Sequence, residues 1–260
     1  MLTLADIKKS FPEIVHGRAR GMLREYLQYH ILKAIYDSPY ATKMVFLGWT
    51  CLRLCYNLPR FSEDLDFDNR GMTQETFDDL GLIIEWAMRK IGLECHMHTI
   101  FKWAYHCHIK IPKLLYDYGL SGYEEEKIVI QVDTVPQPID YDYRYFSFAG
   151  FSILSEGIIT PPDILLSQKI TAAYERKRTK WRDFFDIMFL LSSNIRPHYG
   201  YLSKTLGVKD PIMLSEWVKT KNPTIDFPSL VRDLEPFLFE VRDGDIVRDF
   251  PRFMEHFVWG

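Results

Sequence analysis

The stretch Asp64-Leu65-Asp66-Phe67-Asp68 alternates acidic and apolar residues without a break. Period-two alternation marks a β-strand, in which successive side chains point to opposite faces. It puts three carboxylates on one face and Leu65 and Phe67 on the other. Carboxylates held this close repel one another, so a counter-ion is expected. Oxygen ligands on a rigid strand suit a divalent metal, and two of them aimed at one point can hold Mg2+ against nucleotide phosphates. The alternative is an edge strand with a solvated acidic face. Spacing alone leaves both readings open.

The segments around it build a recognisable order. Residues 20–37 read as a helix, with Leu23, Leu27, Ile31 and Ile35 four apart, stopped by Asp37-Ser38-Pro39. Lys43 to Leu47 is a short apolar strand. Gly48 makes a turn, and Thr50 to Tyr56 has helical composition, ended by Asn57-Leu58-Pro59. Strand, turn, short helix, loop and acidic strand follow one another. Backbone N–H groups at such a turn and helix start form a cradle for phosphate.

Asn69-Arg70-Gly71 is a turn, and Thr73 caps a helix to about Lys90 that buries Phe77, Leu80, Ile84 and Met88. Leu93 to Ile100 and Tyr105 to Ile111 alternate as a hairpin. After a loop containing Glu124-Glu125-Glu126, Lys127 to Asp133 forms another strand. From Val135 the chain reads as an irregular stretch rich in Tyr and Phe, up to a domain change near Thr160-Pro161-Pro162. Helices are expected at 163–174, Trp181–Ser192, 198–205, 211–219, 226–238 and 246–256. We therefore expect an α/β core over residues 1–160 and a helical domain over 161–260. No internal repeat or low-complexity tract is present.

Bulk properties narrow the function classes. The 260 residues are 47% apolar and 26% charged, ordinary for a soluble globular protein. A formal net charge of -3 argues against wholesale coating of nucleic acid, though not against a local basic patch. Cys51, Cys55, Cys95 and Cys107 lack zinc-finger spacing, which points to a reducing cytoplasm. The N-terminus lacks a signal-peptide pattern, and no apolar run is long enough to span a membrane.

Other groups suited to chemistry stand apart in the chain. Asp133, at the end of its own strand, is a third carboxylate that would orient or deprotonate an attacking hydroxyl; a strand-end residue at a turn is the plainer reading. Lys169, in the apolar part of its helix, can reach a phosphate as a point charge or simply snorkel to solvent. Arg176, Lys177, Arg178, Lys180 and Arg182 form a basic run beside Asp183 and Asp186. It suits either phosphate contact or a solvated helix junction. His96, His98, His106 and His108 share strand faces in pairs. With a turn at 101–103, His98 faces His106 and His96 faces His108, close enough for zinc or for contact with RNA bases and phosphates.

These residues carry a family resemblance. Gly48-Trp49-Thr50, Leu52-Arg53-Leu54 and Leu58-Pro59-Arg60-Phe61-Ser62-Glu63-Asp64-Leu65-Asp66-Phe67 resemble the signature of the AbiEii/AbiGii-type toxin nucleotidyltransferases. Lys169 with Arg182-Asp183-Phe184-Phe185-Asp186 resembles the second signature, and the strand ending in Asp133 the intervening acidic strand. The likeness covers roughly residues 20–195. It implies an α+β nucleotidyltransferase fold of the polymerase beta type, a mixed sheet flanked by helices, with the C-terminal helices completing the active-site cleft. It implies a toxin of a toxin–antitoxin or phage-defence system that moves a nucleoside monophosphate from a nucleoside triphosphate, with Mg2+, to the acceptor end of tRNA. A separate antitoxin protein is its expected partner, no membrane is involved, and the chain is expected to be a cytoplasmic monomer.

By that resemblance Asp64, Asp66 and Asp133 bind the metal and act in catalysis. Lys169 binds the triphosphate, with Arg182 beside it, and Asp186 supports the site. Gly48, Trp49, Thr50 and Ser62 line the donor phosphates, and Ser62 is also a candidate for modification. Where the family carries two small residues, this chain has Gly48-Trp49. The indole either blocks the phosphates, stacks on a base, or packs away with its N–H still available. The acidic pair fits a protein or small-molecule acceptor equally well. An inactive RNA- or partner-binding protein would need neither aspartate.

Overall fold

The computed structural model of the chain describes residues 1–176, 180–227, 237–240 and 244–259. The backbone divides into two compact units. One comprises residues 1–57, 61–137 and 143–159; the other comprises 58–60, 138–142 and 160–260.

The first unit is built on a seven-stranded mixed sheet. Its strands are β1 (Met44–Leu47), β2 (Leu65–Asn69), β3 (His96–Phe101), β4 (Tyr105–Ile111), β5 (Ile128–Val135), β6 (Arg144–Gly150) and β7 (Ile153–Ile159), in the spatial order β3-β4-β5-β2-β1-β7-β6. The acidic strand β2 is therefore the central strand, paired antiparallel to β1 and parallel to β5. The edge-strand reading falls with that observation. Flanking it are α1 (Leu4–Lys8), α2 (Ala19–Tyr36), α3 (Gly48–Tyr56), α4 (Gln74–Lys90) and the short α5 (Leu114–Asp117).

One face of the sheet is apolar and roofed. Helix α4 buries Phe77, Leu80, Ile84 and Met88, each stabilising the fold by about 1.5–3 kcal/mol relative to exposure. Gly81 of α4 lies over Cys107 of β4, the Phe77 ring meets Phe101 and Tyr105, and Thr99 donates to Asp78. The residues beneath are the odd positions of β4 and the even positions of β5: Cys107, Ile109, Ile111, Ile128, Ile130 and Val132, all buried. Helix α2 anchors the other half. The Tyr36 hydroxyl donates to the carbonyls of Met44 and Ile158, and its ring lies on Gly157, where any Cβ would collide with it.

The stretch read as irregular after Val135 is corrected here: Arg144 to Ile159 is the β6–β7 hairpin, paired over its whole length. Its turn residues, Phe151 and Ser152, both have positive φ, 54° and 61°. Such a turn ordinarily uses Asn-Gly or Asp-Gly, so the sequence carries no turn signal. Phe151 tolerates the conformation because its ring packs against Phe11, Tyr26 and Tyr29.

The second unit is helical. Helices α6 (Pro162–Glu175), α7 (Trp181–Ser192), α8 (Tyr199–Leu206) and α9 (Pro211–Lys221) precede two shorter ones, Asp245–Arg248 and Phe250–His256. Phe184 packs edge-on against Tyr174, Phe227 and Phe250. Most of the helix expected at 226–238, and residues Lys177 and Arg178 of the basic run, lie outside the described residues. The architecture is α+β: a mixed sheet flanked by helices, followed by a helical C-terminal region.

Candidate active site

In the sheet unit the parallel pairing of β2 with β5 sets Asp66 directly opposite Asp133. Directly opposed residues of neighbouring strands share a face. Asp64, two residues before Asp66, extends that face from just outside the strand. Asp68 lies further along; it is buried, accepts from Arg70 Nε at 2.7 Å and from the Gln137 N–H at 3.0 Å, and so serves structure.

The turn before α3 is shaped around Asp66. Gly48 has φ +78°, a conformation that suits glycine. A Cβ there would come within 2.9 Å of the Asp66 carboxyl carbon, so the backbone of the turn rests against the carboxylate. No side chain caps α3. Trp49, 9% exposed, is buried rather than displayed as a stacking surface.

Thr50 and Ser62 are both buried. The Thr50 hydroxyl hydrogen-bonds the Ser62 hydroxyl, 2.8 Å away, and the main-chain carbonyl of Asp64. Gln28 of α2 donates to the carbonyls of Ser62 and Glu63, at 3.1 Å each. Together they hold the loop that delivers Asp64. Burial pushes the Asp64 carboxyl above its ordinary range, and repulsion from Glu63 and Asp133 adds to that; the Arg24 cation and the Gln131 backbone N–H oppose it.

Asp133 sits differently. Gln131 Nε2 donates to both of its carboxylate oxygens, at 2.8 and 2.7 Å, and His106 Nδ1 lies 2.8 Å from Oδ1. His106 stands opposite Asp133 in the β4–β5 ladder. His106 is not legible from sequence as a partner of Asp133, because the β4–β5 register decides it; Gln131, two residues before Asp133 on the same strand, shares its face by period-two alternation alone. The expected hairpin register is corrected too: His98 pairs with His108, while His96 faces Lys110 and His106 faces Ile100. Among the described residues no three His, Cys, Asp or Glu side chains converge as a ready metal cage, the four histidines included.

The helical unit holds a second cluster. Arg60, fully buried, chelates the equally buried Asp186: Nη2 donates to both oxygens at 2.8 and 2.9 Å, and Nε to one at 3.1 Å. Lys169 of α6 lies 3.1 Å from Asp186 and 3.7 Å from Asp183 of α7. Arg176 donates to Asp183 at 3.1 Å. Burial lowers the Lys169 pKa, against the pull of Asp186 and Asp183. Arg182 lies over the rings of Trp181 and Phe237. Arg60 and Asp183 were missed as members of this cluster. The signals were present, an Arg in the loop before the acidic strand and two acids three apart on one helix, but only the fold pairs them.

A mixed sheet with aspartates on adjoining central strands and a glycine turn against one of them, followed in the chain by a helical region, is the arrangement of a nucleotidyltransferase fold. The structure is similar to that of JHP933 from Helicobacter pylori, with a TM-score of 0.54 at 18% identity over 91% of this chain and 92% of that one. A second Helicobacter pylori structure, described as a candidate nucleotidyltransferase, matches with a TM-score of 0.54 at 18% identity over 91% and 95%. No curated protein matches the chain. The chain belongs to the AbiEii family, the nucleotidyl transferase toxins of type IV toxin–antitoxin systems, whose model matches residues 30–216. It is a nucleotidyltransferase of the toxin–antitoxin and abortive-infection class.

Proposed function

We propose that this chain transfers a nucleoside monophosphate from a nucleoside triphosphate to the 3′ end of tRNA and so blocks translation. It acts in the cytoplasm, with a separate antitoxin protein as its counterpart. The observation that carries the reading is the placement of Asp66 opposite Asp133, with Asp64 on the same side and the Gly48 turn against Asp66.

The donor set fits Mg2+. Its oxygens are hard, and Mg2+ is commonly held by one or two carboxylates while substrate phosphates and water fill the rest of its shell. A preformed three-residue cage is not required. The Asp64 pKa is raised first by burial and then by repulsion from Glu63 and Asp133; it is that gathering of acids that favours a cation. Asp64 and Asp66 are the ligands in this reading. When bound, the ion neutralises charge that develops on the phosphates.

Asp133 is assigned to the acceptor. Gln131 and His106 fix its orientation, which suits it to take the proton of the attacking hydroxyl. That oxygen forms a bond to the α-phosphorus, the bond to the bridging oxygen breaks, and pyrophosphate leaves. The backbone at Gly48 and the start of α3 cradles donor phosphates. From the helical unit, the family resemblance assigns Lys169 to the triphosphate and Asp186 to supporting the site; the 3.1 Å contact between the two is in keeping with that.

Incubating the protein with Mg2+, total tRNA and each labelled triphosphate in turn tests the acceptor. Label entering tRNA from one triphosphate supports the reading. Label entering a protein instead, with none in RNA, overturns it.

A further inference from the structure

The sheet face that carries Asp66 and Asp133 continues sideways across β4 and β3. The strand registers lay it out in three rows. Asp66, Asp133, His106 and Ile100 form the first; Gln131, His108 and His98 the second; Val129, Lys110 and His96 the third. By strand geometry the rows span about 13 Å along β5 and about 10 Å across to β3.

This face is open, in contrast to the one under α4. His96, His98 and Val129 are exposed, and His106, His108, Lys110 and Gln131 are partly so. The His98 and His108 rings lie 6.3 Å apart. Among the described residues neither of them, nor Lys110, makes a side-chain hydrogen bond or ion pair. The platform thus holds unspent donors, flat rings and one cation, and it runs into the carboxylate assigned to the attacking hydroxyl.

The chemistry selects one occupant. A divalent cation is a poor fit, since no third ligand among the described residues converges on the His98–His108 pair. An apolar protein segment would find only Val129 and Ile100 to pack against. A nucleic-acid strand offers phosphates to Lys110 and to imidazole N–H groups, and bases that stack on imidazole rings.

We propose that this imidazole-rich face of β3, β4 and β5 is the track on which the acceptor RNA strand lies, delivering its terminal hydroxyl to Asp133. The inference rests on the nucleotidyl-transfer reading for its direction, but binding tests it independently of transfer. The probe is a fluorescein-labelled RNA hairpin with four unpaired 3′ nucleotides, titrated with the full chain and followed by anisotropy. The variant His98→Ala/His108→Ala/Lys110→Ala is expected to raise the Kd about tenfold and to reduce the salt slope by about one, since one phosphate contact is lost. Binding of a fluorescent nucleoside triphosphate should stay unchanged. Lys90→Ala, on α4, should leave RNA affinity unchanged. The single variants His98→Ala and Lys110→Ala keep the test open if the triple variant does not fold.

An unchanged Kd in folded variants overturns the track. So does a wild-type chain that ignores the RNA, or polyglutamate competing as well as RNA does. Failure of transfer is a separate result: a chain that binds RNA through these residues yet moves no label refutes the transfer reading and leaves the track standing.

Discussion

Asp64 shows how a site of this kind opposes the stability of its own fold. Its folded-state pKa is raised, so the folded protein holds the proton more tightly than the unfolded chain does. Stability from this group is present at low pH and declines as pH rises through the raised value. At neutral pH, without metal, the ionised carboxylate is a burden. Asp64→Asn should therefore raise the thermal midpoint in metal-free buffer at pH 7 by a few degrees while abolishing transfer. A lowered midpoint would contradict the assignment. Arg60 behaves in the opposite way. Arg60→Ala strands the fully buried Asp186 beside Lys169 and Asp183, and losing one partner of a buried pair costs about 3–5 kcal/mol. Urea unfolding of the two proteins measures it. At this scale the sequence was legible where spacing is local. Asp64 and Asp66 stand out by alternation. Arg60 and His106 acquire their partners only through contacts between distant segments, which no local pattern encodes.

Elements were legible in proportion to their punctuation. Helix α4 has both its stripe and its start signal: Thr73 accepts from the Thr76 N–H at 3.2 Å, and Thr76 accepts in return from the Thr73 N–H at 2.9 Å. Thr73→Ala should cost about 1 kcal/mol, read as a shift in the urea midpoint with an unchanged slope. An unchanged midpoint would show that the cap contributes nothing. The β6–β7 hairpin lacked any such mark, because Phe151-Ser152 occupies positive φ through tertiary packing rather than intrinsic preference. The β3–β4 hairpin was seen, but its register was set two residues away from the expected one. The turn falls at residues 102–104, where Lys102 donates to the Ala104 carbonyl. That displacement separates His106 from His98, while the β4–β5 ladder sets His106 opposite Asp133.

At the scale of the whole chain, the sequence conveyed the fold class better than the order of the strands. An α/β first part and a helical second part follow from periodicity alone. The central place of β2 does not: in the order β5-β2-β1-β7 the pairs β5-β2 and β1-β7 join strands far apart in sequence. That order sets an acidic strand in the middle of the sheet, where the proposed site lies. The proposed reaction transfers a nucleotide rather than a phosphate and requires Asp66. The most direct measurement supplies the donor labelled at the α-phosphorus in one reaction and at the γ-phosphorus in another, with wild type and Asp66→Asn side by side. Nucleotidyl transfer puts α-label in the product, releases γ-label in pyrophosphate, and leaves no product label with the variant. The γ-label in the product, or α-label undiminished in Asp66→Asn, would contradict it.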